Sequence, residues 1–97
     1  MPTYIALYKF TDQGIKNIKA APQRVENNVK AWEKMGGKLL GFYSTMGEYD
    51  YVSIAEAPND AVASTFMLAV GAQGNVRTTT LKAFTTKEFA VIVKNIP

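Results

Sequence analysis

The fold is decided by residues 38–56, KLLGFYSTMGEYDYVSIAE, near the middle of the chain. Two runs rich in β-branched and aromatic residues, 38–45 and Tyr51–Glu56, flank a short polar turn, and this spacing predicts a β-hairpin. Upstream of the hairpin, Gly36-Gly37 is typical of the end of a helix. Downstream of it, Pro58-Asn59-Asp60 is typical of the start of another helix. The hairpin therefore lies between two predicted helices.

The N-terminal part of the chain supplies the first of these helices and a strand before it. Thr3–Phe10 is rich in β-forming residues that are apolar on both alternating faces, which predicts a strand. Apolar residues then recur at helical spacing, and Pro22 fits the first turn of a helix better than its interior. We therefore predict a short helical turn at about residues 13–20 and the main helix at about residues 22–35.

The C-terminal part repeats this order and adds a terminal helix. An apolar helical face predicts a second long helix, which the two glycines of residues 71–75 end. Residues 76–84, which are rich in Thr, predict the fourth strand. Residues 85–88, TTKE, have the spacing of a capping box, and they introduce a short helix at about residues 86–93, although three β-branched residues there disfavour it.

The order strand, helix, strand, strand, helix, strand predicts one α+β domain over residues 1–97, a ferredoxin-like βαββαβ sandwich. Its four-stranded antiparallel sheet carries both helices on one face. Both alternating sets of the first strand are nevertheless apolar: Tyr4, Ala6, Tyr8 and Phe10 on one side, Ile5 and Leu7 on the other. A bare apolar sheet face is an interaction surface, and two such faces stack about 10 Å apart. We therefore expect a homodimer, or a higher oligomer, through the open sheet face.

The tyrosines of the predicted strands bear on this interface. We expect them on the open face, where they form the core of the dimer or line a ligand cavity between the stacked sheets. These residues are Tyr4, Tyr8, Tyr43 and Tyr51. Because aromatic residues are enriched in interfaces, dimer core is the favoured interpretation.

Composition limits the chemistry that the chain can perform. It contains no Cys and no His, which excludes disulfides, Cys nucleophiles and Ser–His–Asp triads, and removes the commonest acid–base residue. Zinc and iron sites would lack their usual nitrogen and sulfur ligands, and no Asp-rich loop indicates a calcium site. We therefore predict no metal and no cofactor.

Charge and hydropathy limit the partners. The net charge is +3, and it is unevenly distributed. Residues 1–40 carry seven basic and three acidic side chains, whereas residues 41–97 carry four basic and five acidic side chains. The lysine spacing favours a solvated helix face. The strand order is shared with RNA-recognition domains, but the acidic residues around the third strand repel phosphates, so we predict no nucleic-acid partner. No basic, apolar leader or membrane-length run is visible, so we expect a cytoplasmic protein without a membrane partner.

Topology brings three polar loops to one end of the predicted sheet. The first two strands run against the last two, so the end of the first strand, the hairpin turn and the entry to the fourth strand meet. The candidate ligand-binding residues there are Asp12, Gln13, Tyr49, Asp50, Asn75 and Arg77. These residue types also serve as caps, turn residues and ion pairs, such as one between Arg77 and Asp12 or Asp50.

The residue types at this end suit an anionic or carbonyl-bearing ligand. Arg77 can hold a carboxylate or phosphate with two parallel hydrogen bonds. If the site is catalytic, Asp50 or Glu48 is the candidate base, and Tyr49 is the candidate donor to a carbonyl or enolate oxygen.

Three short blocks, in this order and at this spacing, resemble the GYD-domain family of small, largely uncharacterised bacterial and archaeal proteins. The blocks are Thr11-Asp12-Gln13-Gly14-Ile15, Gly47-Glu48-Tyr49-Asp50 and Gly74-Asn75-Val76-Arg77-Thr78. The resemblance extends from about Tyr4 to Phe89, and it implies a dimeric α/β-barrel fold without known catalytic residues. Two features depart from it: Ser53 stands where an aliphatic residue is expected, and the tail after Phe89 is unusually β-branched.

Several function classes remain open. The first is an oligomeric binding module for a small anionic or carbonyl-bearing metabolite. The alternative is a cofactor-independent enzyme similar to the monooxygenases and isomerases among related dimeric α/β-barrel proteins, which is an analogy at the level of the fold. A purely structural or interaction protein is a third option. The absence of His favours binding without catalysis.

Overall fold

The computed structural model describes all 97 residues. Four strands and four helices follow one another, and a 3-10 turn at Ile18–Ala20 precedes the longest helix. In chain order the elements are β1 (Thr3–Phe10), α1 (Asp12–Lys16), α2 (Ala21–Lys34), β2 (Lys38–Ser44), β3 (Tyr51–Glu56), α3 (Asp60–Ala72), β4 (Val76–Ala83) and α4 (Thr86–Lys94). None of the helices has the length and apolar character that crossing a bilayer requires.

The four strands form one antiparallel sheet in the order β2-β3-β1-β4. β1 pairs with β3 on one side and with β4 on the other, so it is a central strand. A bulge between Leu39 and Gly41 interrupts the pairing of β2 with β3. The predicted α+β architecture with a four-stranded antiparallel sheet is confirmed, and it is compatible with a ferredoxin-like fold.

One face of the sheet carries the hydrophobic core. Tyr4, Ala6 and Tyr8 of β1 are buried in the same cluster as Trp32 of α2 and Phe66 of α3. The Trp32 and Phe66 rings meet edge to face, with their centroids 4.9 Å apart. Protein interiors are packed about as densely as organic crystals, so the small side chain of Ala6 leaves room for these large rings. Both long helices therefore cover the same face.

The tyrosines divide between the two faces, contrary to the expectation that they share the open one. Tyr4, Tyr8 and Tyr51 belong to the core on the helix side or pack against it. Tyr43 is opposite Val52 in the register and is 61% exposed. The reason is the twofold alternation of side chains along a strand, which places neighbouring residues on opposite faces.

Helices α1 and α3 begin at side-chain caps, whereas the end of α3 differs in detail from the prediction. Thr11 caps α1 and Asn59 caps α3, each through a side-chain oxygen that accepts a backbone N–H. Of the glycines predicted to end α3, Gly71 lies inside the helix. Gly74 follows with a φ of +85°, a left-handed conformation that glycine adopts without steric cost.

α4 begins at the predicted capping box and leaves the body of the molecule. The Thr85 hydroxyl accepts the Glu88 N–H at 3.1 Å, and the Glu88 carboxylate accepts the Thr85 N–H at 2.9 Å. No residue of the helix is buried. The molecule is elongated at 51 × 31 × 19 Å, with a radius of gyration of 14.7 Å. A compact domain of this length has a radius of gyration of about 12.5 Å.

The end of β1 is bonded to the loop that leads into β4. The Thr11 N–H donates to the Asn75 carbonyl at 3.0 Å, and the Thr11 hydroxyl donates to the Gly74 carbonyl at 2.6 Å. Gly14 approaches this loop so closely that a Cβ atom there would lie 2.1 Å from the Asn75 carbonyl oxygen. The junction therefore requires glycine at position 14.

A second contact fastens α3 to the sheet. The Tyr4 hydroxyl donates to the Asp60 carboxylate, which also accepts from the Lys82 ammonium at 3.1 Å. Burial raises the pKa of Tyr4 to about 12, and the hydrogen bond to Asp60 and the negative charge of that carboxylate add to the effect. The bonds from Tyr4 and Lys82 lower the pKa of Asp60.

We expect Gly14→Ala to destabilise the fold by about 1–3 kcal/mol, because a backbone carbonyl has to move to admit the methyl group. Gly71→Ala is the matched control. Its Cβ would meet no atom within 4 Å, and alanine favours helix, so the change is neutral or stabilising by up to about 1 kcal/mol. Urea unfolding followed by circular dichroism measures both, and equal effects of the two substitutions would contradict the assignment.

We expect a late-ionising tyrosine in an absorbance titration at 295 nm. The pKa of Tyr4 is higher in the folded chain than the ordinary value of about 10, so its contribution to stability is complete below pH 10 and is lost as the pH rises towards 12. Tyr4→Phe removes the late step, and Asp60→Asn moves it to lower pH. Asp12→Asn serves as control, and an unchanged titration of the Asp60→Asn protein would refute the contact.

Candidate functional site

Two of the predicted site residues, Gln13 and Asn75, are brought together at the loop end of the sheet. The side-chain amide of Gln13 donates to Asn75 Oδ1 and to the Gln73 carbonyl, each at 3.0 Å. A side-chain amide has two N–H donors, so these bonds use both. The contacts join α1 to the loop before β4.

Asp50 is bonded to the end of β1. Its Oδ2 accepts the Phe10 N–H at 2.8 Å, and its own N–H donates to the Tyr8 carbonyl at 2.8 Å. Its carbonyl accepts the Thr45 N–H at 2.9 Å. Asp50 therefore closes the hairpin and holds it against the central strand, with one carboxylate oxygen bound to the backbone.

Glu48 and Tyr49 share a lysine. The Lys9 Nζ lies 3.4 Å from Glu48 Oε1 and 5.2 Å from the centre of the Tyr49 ring. Both side chains of the ion pair are at least half exposed, so the pair adds little to stability. The group forms a polar surface beside Asp50.

Asp12 and Arg77 stand outside these contacts. Arg77 is opposite Lys9 in the register of β1 and β4, and it forms no ion pair with Asp12 or Asp50. The structure thus joins Gln13 to Asn75 and brings Asp50 to the strand end, but it does not bond them to the two remaining residues. Their joint role in ligand binding stays a prediction. No three acidic side chains stand close enough together to hold a metal ion.

A cavity lies between α2, α3 and the helix side of the sheet. Its volume is about 80 Å³, and 17 of its 23 lining residues are hydrophobic. Tyr8, Phe10, Phe42 and Tyr51 form an aromatic wall, with ring centroids between 5.0 and 5.9 Å apart. Small-molecule sites are typically concave and mostly apolar, with a few polar groups that fix orientation.

A pair of hydroxyls lies in this cavity. The Tyr8 and Ser53 hydroxyls are 3.0 Å apart and hydrogen-bonded, and both residues are buried. Burial raises the pKa of Tyr8, and the bond to Ser53 partly opposes this shift. Tyr8 therefore stays neutral near pH 7 and retains its hydrogen.

A cation lines the α2 side of the cavity. Arg24 is half-buried, donates from Nη1 to the Asn17 carbonyl at 2.8 Å, and forms no ion pair. Burial raises the pKa of nearby Tyr51, the positive charge of Arg24 opposes the shift, and the charge of Asp50 adds to it. One helical turn on, Asn28 accepts from the Gln73 amide at 3.0 Å.

Sequence reasoning missed Arg24, Asn28 and Ser53 as candidate site residues, although each leaves a signal. Ser53 interrupts an otherwise apolar inward-facing set on β3. Arg24 and Asn28 are four residues apart, so they share one helix face beside Val25 and Val29. Polar side chains are unusual on the inward-facing surface of a helix.

Two apolar surfaces have no cover in the chain. The α4 stripe consists of residues three and four apart that are 43–67% exposed: Phe89, Ile92 and Val93 of the helix, and Ile96 just after its end. The open sheet face is the side of the sheet opposite the long helices. Its apolar residues, half-buried or exposed, include Ile5, Leu7, Tyr43, Val52, Ile54 and Leu81.

Comparison with known proteins agrees with the resemblance in the three loop blocks. The GYD domain model matches residues 4–93. The chain is also 34% identical over 84 residues to a Thermus thermophilus protein named glutamine synthetase and cystathionine beta-lyase binding protein. That match covers 86% of this chain and 88% of the relative. The chain therefore belongs to the GYD-domain family.

Proposed function

We propose that this chain is a non-catalytic binding module whose partner is an enzyme. The observation that carries the proposal is the α4 stripe, because its side chains are exposed on, or just after, a helix without a buried residue. Helices with apolar residues at positions i, i+3, i+4 and i+7 bind in hydrophobic grooves of other proteins. The name of the Thermus thermophilus relative, a binding protein for two enzymes, supports this kind of partner.

The form of α4 suits docking. The capping box between Thr85 and Glu88 satisfies orphan N–H groups of the first turn, and such caps stabilise helices by about 1 kcal/mol. A helix that is already formed loses less conformational entropy when it binds. Lys87 and Lys94 supply charge outside the stripe, as in the polar rim of an interface.

The proposed module is a homodimer through the open sheet face. Ile5 is opposite Ile54 and Leu7 is opposite Val52, so four apolar side chains are contiguous at the centre of this face. Each is half-buried in the single chain. A second copy covers them by face-to-face stacking, in which side chains of the two sheets interdigitate.

Catalysis by the loop residues has less support than binding. Asp50 holds the Phe10 N–H, and Glu48 and Tyr49 both face Lys9, so the candidate base and donor are engaged in separate contacts. Arg77 makes no ion pair with any of them. A cofactor-independent enzyme would have to rearrange these contacts before a substrate could meet base and donor together.

We expect Phe89→Asp to weaken binding to the partner enzyme at least tenfold, because it places a charge in the apolar stripe. Calorimetric titration against glutamine synthetase and cystathionine beta-lyase from the same organism measures the effect. Val91→Asp is the control, since Val91 lies on the opposite side of α4. Failure of the unmodified chain to bind either enzyme, or equal losses in both variants, would overturn the proposal.

We expect Leu7→Lys to convert the dimer to a folded monomer, because it places a charge at the centre of the stacked faces. Sedimentation equilibrium at micromolar concentration measures the mass, and circular dichroism confirms the fold. Leu68→Lys, at an exposed position on α3, leaves the dimer intact. A monomeric unmodified chain would show that the open sheet face does not self-associate at this concentration.

A further inference from the structure

We propose that the cavity beneath α2 and α3 binds a small aromatic acid, a planar ring that carries a carboxylate and a second oxygen. Arg24 holds the carboxylate, the aromatic wall contacts the ring, and the Tyr8–Ser53 pair donates to the second oxygen. The site lies on the helix side of the sheet, away from the open sheet face and the α4 stripe. The proposed ligand site is therefore independent of the proposed enzyme partner, and each is tested separately.

The shape and lining of the cavity favour a planar apolar group. Its volume of about 80 Å³ is several times the roughly 10–15 Å³ that one buried water requires. Tyr51 meets Phe10 edge to face and lies tilted to Phe42, both at 5.0 Å between centroids. A further ring gains the same edge and face contacts from this wall.

The hydroxyl pair has a donor to spare. Two hydroxyls carry two hydrogens, and the single bond between Tyr8 and Ser53 uses one of them. Neither hydroxyl has another hydrogen-bond partner in the chain, although the residues are 9% and 5% exposed. The bond between them gives each hydroxyl one partner, and the second hydrogen is available to an acceptor from outside the chain.

Arg24 supplies the complementary charge. Its guanidinium has five N–H donors, and one hydrogen bond, from Nη1 to the Asn17 carbonyl, is made within the chain. No carboxylate pairs with it although the side chain is half-buried. The free edge of a guanidinium matches the geometry of a carboxylate, which it binds through two parallel bonds.

The three features together select the ligand class. A purely aliphatic ligand leaves both Arg24 and the spare hydroxyl hydrogen without a partner. An inorganic phosphate satisfies them but leaves the aromatic wall without contact, and a neutral sugar brings no negative charge to Arg24. An aromatic acid with a second oxygen is the ligand class that uses all three.

The test is a calorimetric titration of the unmodified protein with 3- and 4-hydroxybenzoate, benzoate and phenol at up to millimolar concentration. Benzoate lacks the second oxygen, and phenol lacks the carboxylate. We expect Arg24→Gln to weaken binding of the hydroxybenzoates and benzoate tenfold or more, while the affinity for phenol is unchanged. Lys30→Gln removes an equal charge from the exposed side of α2 and serves as the control.

A second variant tests the hydroxyl pair. Tyr8→Phe with Ser53→Ala removes both hydroxyls, and removal of both partners of a hydrogen bond is nearly neutral for folding. We expect this double variant to bind the hydroxybenzoates no more tightly than benzoate, whereas Ser53→Ala alone retains a donor and the preference. Absence of binding by all four compounds, equal effects of Arg24→Gln and Lys30→Gln, or an unchanged preference in the double variant would overturn the proposal.

Discussion

The central strand β1 is apolar on both faces, but the two long helices of the chain cover only one of them. Tyr4, Ala6 and Tyr8 take the helix side, where Trp32 and Phe66 complete the core, so Ile5 and Leu7 point to the side without cover. A slip of one residue in the register would exchange the two sets. The burial of Tyr4, Ala6 and Tyr8 against the helices opposes it, as does the Asp50 carboxylate bound to the Phe10 N–H at the end of the strand. The core, the cavity and the open sheet face all follow from this alternation.

The order of elements was predictable because its signals are local. The hairpin, Pro22 in the first turn of α2 and the capping box at Thr85 each act within a few residues. Which face the helices cover was not predictable in the same way, since both alternating sets of β1 are apolar. Small residues on one face, such as Ala6 and Ala55, admit the rings of the helices, and this fit depends on residues distant in the chain. The sequence pattern therefore predicts the wrong face for the tyrosines, apart from Tyr43.

The candidate sites show the same division between local and distant information. Convergence of the loops follows from strand direction alone, and the bonds of Gln13 to Asn75 agree with it. That Asp50 would bind a backbone N–H forty residues away was not evident, because hydrogen-bond partners depend on register. Ser53 was recognised as a departure from the apolar pattern, but its hydroxyl partner Tyr8 is brought to it by cross-strand packing. The cavity likewise forms between helices and strands that are distant in the chain, so no single stretch of sequence predicts it.

The exposure of α4 has a consequence for how the protein changes over evolutionary time. A helix without a buried residue contributes little to the free energy of folding, so substitutions in its apolar stripe leave the sheet and its core undisturbed. Substitutions in β1, by contrast, alter both faces of the sheet at once. In the proposed module, partner choice and fold stability are thereby carried by separate parts of the chain. Under that proposal, the stripe changes under a constraint set by the partner's groove, separately from the constraint that the core sets on the fold.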